Sequence, residues 1–449
     1  MKNILNNNFI KTRYIAWKII TESHRNKTRI SVTIKDIFDK SKNNISSKDK
    51  RFIIMIVQGT IRLSKRLDLE IDEVYKGNFK TLKFNYLTIL RIGVFQIYFM
   101  DDIPEYASVS TTVELTKYLF KDYSNLTNAL LRKIIDNKRY ITEPDNSSTL
   151  TEISNYYSHP EWIINKWIKY KNKQYAIDIA KWNNEPPNIW FRVITTNYSI
   201  DEFVNYLEKN KLEYKQFNDI PEYFCVSNSQ NIIHSKIFND GYLTVQDPSA
   251  GLVVKLLDPQ KNDLIIDTCA APGGKLAYIY ELTKNENILA YDSSQDRLND
   301  LRETLKRLRY NKIKINLLDC SKEILPLANK VLIDVPCSGT GVMSKRSDLR
   351  WRRKIDDIYE LAELQNSLLN NISKFINPGG TIVYSTCSIE YEENWNIINN
   401  FIKYNPKYKI VNAKNYLPDK YVDSFGALQI YSPNHKIDGG FAVRLNYAL

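Results

Sequence analysis

Apolar residues recur at helical spacing through the first third of the chain. The segment "TILRIGVFQIYFM" carries its apolar side chains at mixed intervals of three and four, which is typical of a buried helix. These side chains are Leu90, Ile92, Val94, Phe95 and Tyr98. "TTVELTKYL" and "NALLRKIID" repeat the pattern, and Pro104 separates two of the helices. The pattern predicts an all-α domain over residues 1–138.

The periodicity stops at "NKRYITEPDNSST", residues 137–149. This stretch is polar, contains Pro, Asp, Asn and Ser, and has no apolar period, so we predict a linker. Beyond it, "HPEWIINKWIKY" has the pattern of an amphipathic helix, and "NIWFRVIT" that of a strand. "SIDEFVNYLEKN" is predicted to be a helix with Ser199 as its N-cap. Residues 150–242 are therefore predicted to form a small α+β domain.

From residue 243 onward, short apolar runs alternate with turns and helical stretches. The runs are "DLIIDTC", "NILAYDSS", "KIKINLLDC", "KVLIDVPC", "GGTIVYSTC" and "GGFAVRL". This alternation is typical of a parallel α/β sheet, so residues 243–449 are predicted to form a Rossmann-like domain. Ligands of such sheets bind beyond the carboxyl ends of the strands. The polar residues at those ends are Asp267, Asp292, Asp319, Asp334 and Cys387.

The composition is that of a soluble globular protein. The 449 residues imply two or three domains, and 43% of them are hydrophobic and 25% charged. No apolar run approaches the roughly 18 residues that cross a bilayer, and the N-terminus lacks the apolar core of a signal peptide, so no membrane association is expected. Five cysteines without a C-x-x-C pair predict neither a disulfide framework nor a zinc site, and they fit a reducing cytoplasm.

Positive charge is concentrated at the start of the chain. The formal net charge is +12, and residues 1–66 contain sixteen Lys/Arg against four Asp/Glu, so the remainder is neutral overall. A basic face of this kind favours a phosphate-rich partner. The alternative is a charged stretch that serves only as a solvated surface.

The segment "DTCAAPGGK" indicates a cofactor site. Gly273 and Gly274 follow a strand, where they permit close approach of the backbone to a ligand at a helix N-terminus. The segment matches neither the G-x-G-x-x-G of a dinucleotide fold nor a P-loop. Asp292, at the tip of the next strand, is placed to accept hydrogen bonds from ribose hydroxyls. S-adenosyl-L-methionine fits this pattern; the alternative is that the glycines are plain turn residues and the acids are helix caps.

Two cysteines and an acid are expected to meet at the same edge of the sheet. "IDVPCSGTG" brings Asp334 and Cys337 just past one strand, and "YSTCS" brings Cys387 to the end of another. A single free cysteine is more often a small buried apolar residue, but two beside an acid indicate chemistry. Asp334 is expected to bind or protonate a ring nitrogen of a base.

Two thiols and a methyl donor suggest methylation of a pyrimidine. Carbon 5 of the ring becomes nucleophilic enough to take a methyl group only after a thiolate has added to carbon 6. A base must then remove the carbon-5 proton, and the thiol must leave. The residue pattern alone does not distinguish which cysteine attacks. Of the other cysteines, Cys269 and Cys320 are interpreted as lining of the cofactor pocket, and Cys225 as packing.

Three motifs carry a resemblance to a known family. "DTCAAPGGK", "DVPCSGTG" and "YSTCSIEYEEN" resemble, in order and spacing, the motifs of the RNA cytosine-C5 methyltransferases of the Sun/Nop2 superfamily. "LRIGVFQIYFMDDIPEYASVSTTVELTK" with "NALLRKI" resembles the NusB-type helical RNA-binding domain. "HPEW" and "NNEPPNIWFRV" resemble the family's middle segment, so the resemblance covers essentially the whole chain.

The resemblance implies roles for the site residues. It makes Cys387 the nucleophile and Cys337 the thiol that assists release, whereas in DNA cytosine methyltransferases the proline–cysteine motif supplies the nucleophile. It also implies that Asp334 holds the cytosine, and it implies no metal. The implied contacts to S-adenosyl-L-methionine are Cys269, Ala270, Ala271, Pro272, Gly273, Gly274, Lys275, Asp292, Asp319 and Asp334.

Two segments depart from the family pattern. "SKRSDLRW" has Ser344 and Ser347 where the family has an Arg and the Pro, and "DGGF", with Gly440, replaces a "DGFF" type motif. These changes are expected to affect substrate placement and not the reaction. The nearby basic residues are Arg346, Arg350, Arg352 and Arg353. Together with the basic N-terminal region, they are expected to contact RNA.

The resemblance also implies partners. The substrate is expected to be 16S ribosomal RNA, free or in an early assembly intermediate of the small subunit, and the protein a cytoplasmic monomer. The target cytosine must be flipped out or already unpaired, because a helix hides its carbons 5 and 6. One alternative is the same chemistry on tRNA. Another is a non-catalytic RNA-binding or antitermination factor, against which the presence of both thiols, Asp334 and the glycine loop argues.

Overall fold

The chain divides after Glu185 into two units, and one later segment belongs to the first of them. The computed structural model describes residues 7–41, 45–138, 142–227 and 229–448. One unit comprises Met1–Glu185 with Met343–Arg352, and the other Pro186–Val342 with Arg353–Leu449. Part of the predicted linker, residues 139–141, lies outside the described residues, and residues 142–149 form neither helix nor strand. The predicted boundaries of the three domains, 1–138, 150–242 and 243–449, stay predictions.

The described residues form twenty α-helices and twelve strands. The helices are α1 (Asn8–Asn26), α2 (Ile30–Lys40), α3 (Ser47–Arg62), α4 (Ser64–Val74), α5 (Phe84–Phe99), α6 (Glu105–Leu119), α7 (Ser124–Asp136), α8 (Leu150–Tyr156), α9 (Glu161–Tyr170), α10 (Lys173–Trp182), α11 (Ile200–Lys209), α12 (Ser229–Ile233), α13 (Lys236–Asn239), α14 (Pro248–Leu257), α15 (Gly274–Thr283), α16 (Gln295–Leu308), α17 (Leu349–Arg352), α18 (Ile355–Ile372), α19 (Trp395–Tyr404) and α20 (Ser432–His435). The strands are β1 (Trp190–Val193), β2 (Tyr214–Gln216), β3 (Tyr223–Val226), β4 (Leu243–Val245), β5 (Ile265–Asp267), β6 (Ile288–Asp292), β7 (Lys314–Leu317), β8 (Ala328–Asp334), β9 (Ile376–Thr386), β10 (Tyr408–Val411), β11 (Leu428–Ile430) and β12 (Gly440–Tyr447). No helix among these is long and apolar enough to span a bilayer.

Helices α1 to α7 share one apolar core, as the periodicity predicts. Helix α5 is buried on nearly all sides and lies at the centre of this core. Helix α3 packs closely against α5 at Gly59, where an added Cβ would overlap the ring of Phe95. Pro104 is the N-cap residue of α6, which explains why it separates two helices and interrupts neither.

The middle part of the chain forms a small antiparallel sheet in the order β2-β3-β1-β4. Helix α11 covers one face and contributes Phe203 and Leu207 to a core with the strands. Ser199 accepts a hydrogen bond from the backbone N–H of Glu202, and the Glu202 carboxylate accepts one from the backbone N–H of Ser199. The predicted N-cap is therefore confirmed, in the form of a capping box.

The large sheet has the order β10-β12-β9-β8-β5-β6-β7, with β11 paired to β12. Strands β9, β8, β5, β6 and β7 are parallel to one another, whereas β12 is antiparallel to β9. The predicted α/β fold is confirmed, but the expectation that "GGFAVRL" adds a parallel strand was wrong. Helix α19 leads from β9 to β10, and the chain then returns through β11 to add β12 between these two strands, so β12 runs in the opposite direction.

The order of strands creates a crevice between β5 and β8. From β5 the chain adds β6 and β7 on one side, and it then returns to add β8 and β9 on the other. Both faces of the sheet are buried, since Ile265 and Leu332 belong to one apolar cluster and Ile266 and Ile333 to another. A point at which strand order reverses is where open α/β sheets bind ligands.

Candidate active site

Neighbouring parallel strands bring the predicted site residues to one edge of the large sheet. Strand β5 ends at Asp267, β6 at Asp292 and β8 at Asp334. Cys387 follows the last residue of β9, and Ser385 of that strand is paired in register with Asp334. The acids and the thiol thus lie at the carboxyl ends of strands that flank the reversal of strand order.

Cys337 and Cys387 form a close pair. Their sulfur atoms are 3.0 Å apart, and both residues are partly exposed. The hydrogen bond to Cys387, together with burial and the charge of Glu393, raises the pKa of the Cys337 thiol well above its usual range. Cys337 is therefore held as a neutral thiol beside a second sulfur, an arrangement in which one proton can be shared or transferred.

Asp334 is bonded on both of its oxygens. Lys275 Nζ lies 2.6 Å from Oδ2, and the hydroxyl of Ser385 donates to Oδ1 at 2.8 Å. Burial disfavours the ammonium of Lys275, but the Asp334 carboxylate, with further attraction from Cys387 and Asp267, raises its pKa above the ordinary value. Lys275, predicted as a cofactor contact, is thus the counterion of Asp334 and places positive charge near the Cys387 sulfur.

The glycine loop is shaped for close approach of a ligand. Gly273 has φ of +102°, and a Cβ there would lie 2.5 Å from Leu301 Cδ1, so the turn requires glycine. Helix α15 begins at the next residue without a side-chain cap, which leaves backbone N–H groups at its N-terminus. Asp292 Oδ2 accepts from the N–H of Ala271 at 3.3 Å and lies 3.4 Å from Arg297. Its Oδ1 accepts from the backbone N–H of Ser294 at 3.1 Å, so Asp292 fixes the loop, and its contact with ribose stays a prediction.

Asp267 supplies an observation that fits a bound cofactor. Its side chain is 1% exposed, and none of the described residues donates a hydrogen bond to its Oδ1. Burial, with repulsion from Asp334, raises its pKa to about 7. A buried carboxylate oxygen without a donor is costly unless a ligand satisfies it. Asp267, together with the Gly273 turn, therefore suits a ligand that carries hydrogen-bond donors or positive charge.

The remaining predicted cofactor contacts have local partners. Asp319 accepts from the hydroxyl of Ser321 at 2.6 Å, and this bond is the main reason that its pKa is lowered. Cys320 belongs to a buried apolar cluster, and burial raises the pKa of the Cys320 thiol to about 12. Cys269 packs against the same cluster. Burial also raises the pKa of Cys269, so the thiolate form of both cysteines is disfavoured, and their place in the pocket lining stays a prediction. Cys225 packs against an apolar cluster.

One residue of the predicted RNA-binding arginines is buried. Arg350 has 0% exposure within the first unit. Its guanidinium donates to the carbonyl oxygens of Arg62, Ser158 and Asn183 at 2.9–3.3 Å and to the side-chain oxygen of Asn184 at 2.8 Å. The expectation that Arg350 contacts RNA was therefore wrong, because a charge count does not tell where a side chain lies.

Arg353 also has a structural task. Its guanidinium donates to the carbonyl oxygens of Cys337 and Ser338, each at 3.1 Å, and so holds the loop that carries the first thiol. Arg346 and Arg352 are exposed and stay candidates for contact with RNA.

The departures from the family pattern have structural explanations. The hydroxyl of Ser347 donates to Gln58, and the carbonyl oxygen of Ser344 accepts from Arg62 at 2.9 Å. Both serines thus belong to the packing of the first unit. At Gly440, a Cβ would lie 3.0 Å from the carbonyl oxygen of Thr386, so this glycine allows close approach to the strand that leads to Cys387.

Glu393 was missed by sequence reasoning. It is fully buried between the two cysteine loops, where serines follow both thiols. The signal was present in "YSTCSIEYEEN", which contains several acids beside a buried strand, but one sequence does not tell which of them points inward.

Comparison with known proteins gives concordant results. The family 16S rRNA methyltransferase RsmB/F matches residues 254–446, the NusB family residues 10–136, and the RsmF/B-like ferredoxin-like domain residues 159–233. Ribosomal RNA small subunit methyltransferase B of Proteus mirabilis is 30% identical over 86% of this chain and 90% of its own length. A probable protein of the same name in Bacillus subtilis is 28% identical over 96% of this chain and 97% of its own.

Two solved structures share the fold of this chain. The crystal structure of PH0851 aligns over 96% of this chain and 98% of that chain, with a TM-score of 0.78 and 26% identity. The crystal structure of NSun6 from Pyrococcus horikoshii with SFG aligns over 65% of this chain and 98% of its own, with a TM-score of 0.58. At 21% identity, the latter supports the fold alone.

Proposed function

Since the chain belongs to the 16S rRNA methyltransferase RsmB/F family, we propose that it methylates carbon 5 of a cytosine in 16S rRNA, with S-adenosyl-L-methionine as methyl donor. The observation that carries the proposal is the pair of sulfur atoms 3.0 Å apart beside Asp334 at the edge of the sheet. One thiol suffices to form an adduct, but resolving that adduct takes a second proton-transfer group, and the pair offers both.

Cys387 acts as the nucleophile in this proposal. Its thiolate forms a bond to carbon 6 of the cytosine, and the electron pair of the 5,6 double bond becomes available at carbon 5. The ammonium of Lys275, which interacts electrostatically with Cys387, stabilises the thiolate. Bound S-adenosyl-L-methionine supplies the methyl group that carbon 5 takes up.

Cys337 assists the second half of the reaction. The carbon-5 proton must leave as the double bond re-forms and the bond between Cys387 and carbon 6 breaks. The Cys337 thiol lies beside the departing Cys387 sulfur and gives it a proton, and the Cys337 thiolate formed in this way takes the carbon-5 proton, so both cysteines end the step as thiols. Cys387 then releases its proton to solvent before the next turnover.

Asp334 positions the base. Lys275 and Ser385 each donate to one oxygen of Asp334, and the remaining lone pairs of its carboxylate are available to the amino group or a protonated ring nitrogen of cytosine. Asp267, Asp292 and the Gly273 loop would hold the cofactor, since they supply acceptors and open backbone N–H groups at the reversal of strand order.

Bisulfite sequencing of rRNA and tRNA tests the proposal. Cells that lack the protein should lose one 5-methylcytosine of 16S rRNA, and the wild-type gene should restore it. Cys387→Ala, expressed at the same level, should not. An unchanged 16S pattern with a lost 5-methylcytosine in tRNA would refute the rRNA assignment and favour the tRNA alternative. Activity of the purified protein on free 16S rRNA, compared with assembly intermediates, identifies the form of the substrate.

A further inference from the structure

We propose that Glu393 is a positioning residue for both thiols, because its buried carboxylate fastens the loop after Cys337 to the loop after Cys387. The proposal rests on the proposed function, since it assigns the task of this carboxylate in the same reaction. Glu393 touches neither sulfur in the contacts described and is not itself placed on the substrate.

The contacts of the carboxylate are divided between the two loops. Oε1 accepts from the backbone N–H of Ser338 at 2.7 Å, and Oε2 accepts from the hydroxyls of both Ser338 and Ser388. Ser338 follows Cys337 directly, and Ser388 follows Cys387. Each thiol is therefore one peptide unit away from a residue that the same carboxylate holds.

The two loops also contact each other. The hydroxyls of Ser338 and Ser388 are 3.1 Å apart, and the N–H of Gly341 donates to the carbonyl oxygen of Cys387 at 3.0 Å. The N–H of Ile389 donates to the hydroxyl of Thr340 at 3.1 Å. Glu393 thus lies at the centre of a set of bonds that spans both loops, where loss of one acceptor frees several donors.

Helix α18 and strand β9 hold Glu393 in turn. The amide of Gln365 donates to Glu393 Oε1 at 2.9 Å and to the carbonyl oxygen of Pro336 at 2.8 Å. The hydroxyl of Tyr384 donates to the carbonyl oxygen of Glu393 at 2.6 Å. Glu393, Gln365 and Tyr384 are each fully buried. With donors from both loops, from α18 and from β9 fixed on it, Glu393 has a defined position, and that position sets the spacing of the two loops.

The charge of Glu393 has a second consequence. It contributes to the raised pKa of Cys337, after the hydrogen bond to Cys387 and burial. The carboxylate thereby favours the protonated thiol at Cys337 and leaves the thiolate to Cys387, near the Lys275 ammonium. Glu393 therefore supports attack by Cys387 in two ways: it positions both thiols, and it keeps the proton on Cys337.

Disulfide formation in the full-length protein measures the geometry without RNA. Diamide takes up the two protons and two electrons that the thiols release when they form a disulfide, and mass spectrometry of the peptides follows the Cys337–Cys387 link. In Glu393→Ala we expect the link to form about tenfold more slowly, and kcat for methyl transfer to fall about 100-fold with KM for RNA little changed. A folded Glu393→Ala protein with the wild-type rate of disulfide formation would refute the proposal.

Conservative substitution separates positioning from mere folding. In Glu393→Gln the amide oxygen can still accept from Ser338 and Gln365, and the amide group can donate to the two hydroxyls, so we expect both rates to return to within about threefold of wild type. Glu360→Gln, which removes an exposed carboxylate of α18, is the matched control and should change neither. A Glu393→Gln variant with normal disulfide formation but the kcat of Glu393→Ala would refute positioning in favour of a charge effect.

A third variant covers the case in which Glu393→Ala does not fold. Ser388→Ala removes the hydroxyl that donates to Glu393 and accepts from the backbone N–H of Glu390 at 3.0 Å, and we expect disulfide formation to slow about threefold. An unchanged rate in this variant would also contradict the proposal. A wild-type protein that fails to methylate 16S rRNA, but whose variants show this order of disulfide rates, would refute the proposed function alone.

Discussion

Two halves of the sheet edge differ in how their buried carboxylates are partnered. On the thiol side, formed by Cys337, Cys387 and Glu393, the Glu393 carboxylate accepts hydrogen bonds from three different side chains and one backbone N–H. On the cofactor side, formed by Asp267, Asp292 and the Gly273 loop, Asp267 Oδ1 accepts none from the described residues.

The two sides of the site differ in whether their hydrogen bonds are complete before a ligand binds. The thiol side is complete within the chain, so its geometry is set before any substrate arrives. The cofactor side keeps a buried acceptor to which none of the described residues donates; this costs stability and is relieved when the carboxylate takes a proton or meets a ligand. Substitutions on the thiol side should therefore remove chemistry, whereas substitution of Asp267 should weaken binding and at the same time stabilise the fold.

The largest expected effect lies at the nucleophile. Cys387→Ala should lower kcat for methyl transfer to 16S rRNA by at least about 10⁴-fold, because no other group forms the bond to carbon 6. This kcat is measured by the transfer of tritiated methyl groups from S-adenosyl-L-methionine to 16S rRNA. Cys225→Ala, which changes a thiol packed in a core far along the chain from the motifs, should keep activity within about twofold of wild type. Full activity of Cys387→Ala would refute the assignment.

The second thiol should give a different failure. Cys337→Ala should form the adduct but release it slowly, so protein covalently linked to RNA should accumulate on denaturing gels when S-adenosyl-L-methionine is present. The comparison is with Cys387→Ala, in which no adduct is expected. Adducts that accumulate in Cys387→Ala instead would mean that the two roles are reversed.

Asp334 joins the two sides. Asp334→Asn removes the counterion of Lys275 while it keeps an oxygen for Ser385, so kcat should fall about 100-fold with the protein still folded. Steady-state kinetics and circular dichroism of the same preparation test this. A change confined to KM for the cofactor would place Asp334 on the cofactor side alone.

The smallest effect on activity is expected at Asp267. Asp267→Asn should weaken binding of S-adenosyl-L-methionine about tenfold, as expected for loss of a charged acceptor. Isothermal titration calorimetry measures the Kd, and Leu327→Ala, a change of an exposed apolar residue just before β8, serves as a control with an unaltered Kd. Equal affinity in Asp267→Asn would show that this oxygen does not bind the cofactor.

The titration of Asp267 should also make the stability of the folded protein depend on pH, and Asp267→Asn should remove this dependence. The folded protein holds the Asp267 proton up to pH of about 7, because burial raises the pKa, whereas the unfolded chain releases it near the ordinary value. Stability from this group is therefore full at acid pH and is lost as pH rises through about 7. Without ligand, Asp267→Asn should raise Tm by about 3 °C at pH 8 and leave it unchanged near pH 4. The opposite order would contradict a buried, ligand-free carboxylate.

Much of the fold followed from apolar pattern, and the exceptions have physical reasons. The strands from β5 to β9 and their terminal acids were predictable, because buried parallel strands are short apolar runs that end in turns. The antiparallel direction of β12 was not predictable, because the apolar pattern of a strand does not depend on the direction in which the strand runs. Arg350 was misjudged and Glu393 overlooked for one reason: a charged side chain is normally exposed, and only three-dimensional contacts show when it is buried with partners.

The membership of Met343–Arg352 in the first unit has a consequence for how the chain is made. A ribosome that adds about 5 to 20 residues per second needs about 8 to 30 s to pass from Glu185 to Met343. During that time, the carbonyl oxygens of Ser158 and Asn183 are without the guanidinium of Arg350. The helical unit is therefore finished late in translation, after the strands from β1 to β8 have been made, and a chain cut before Arg352 would carry it incomplete.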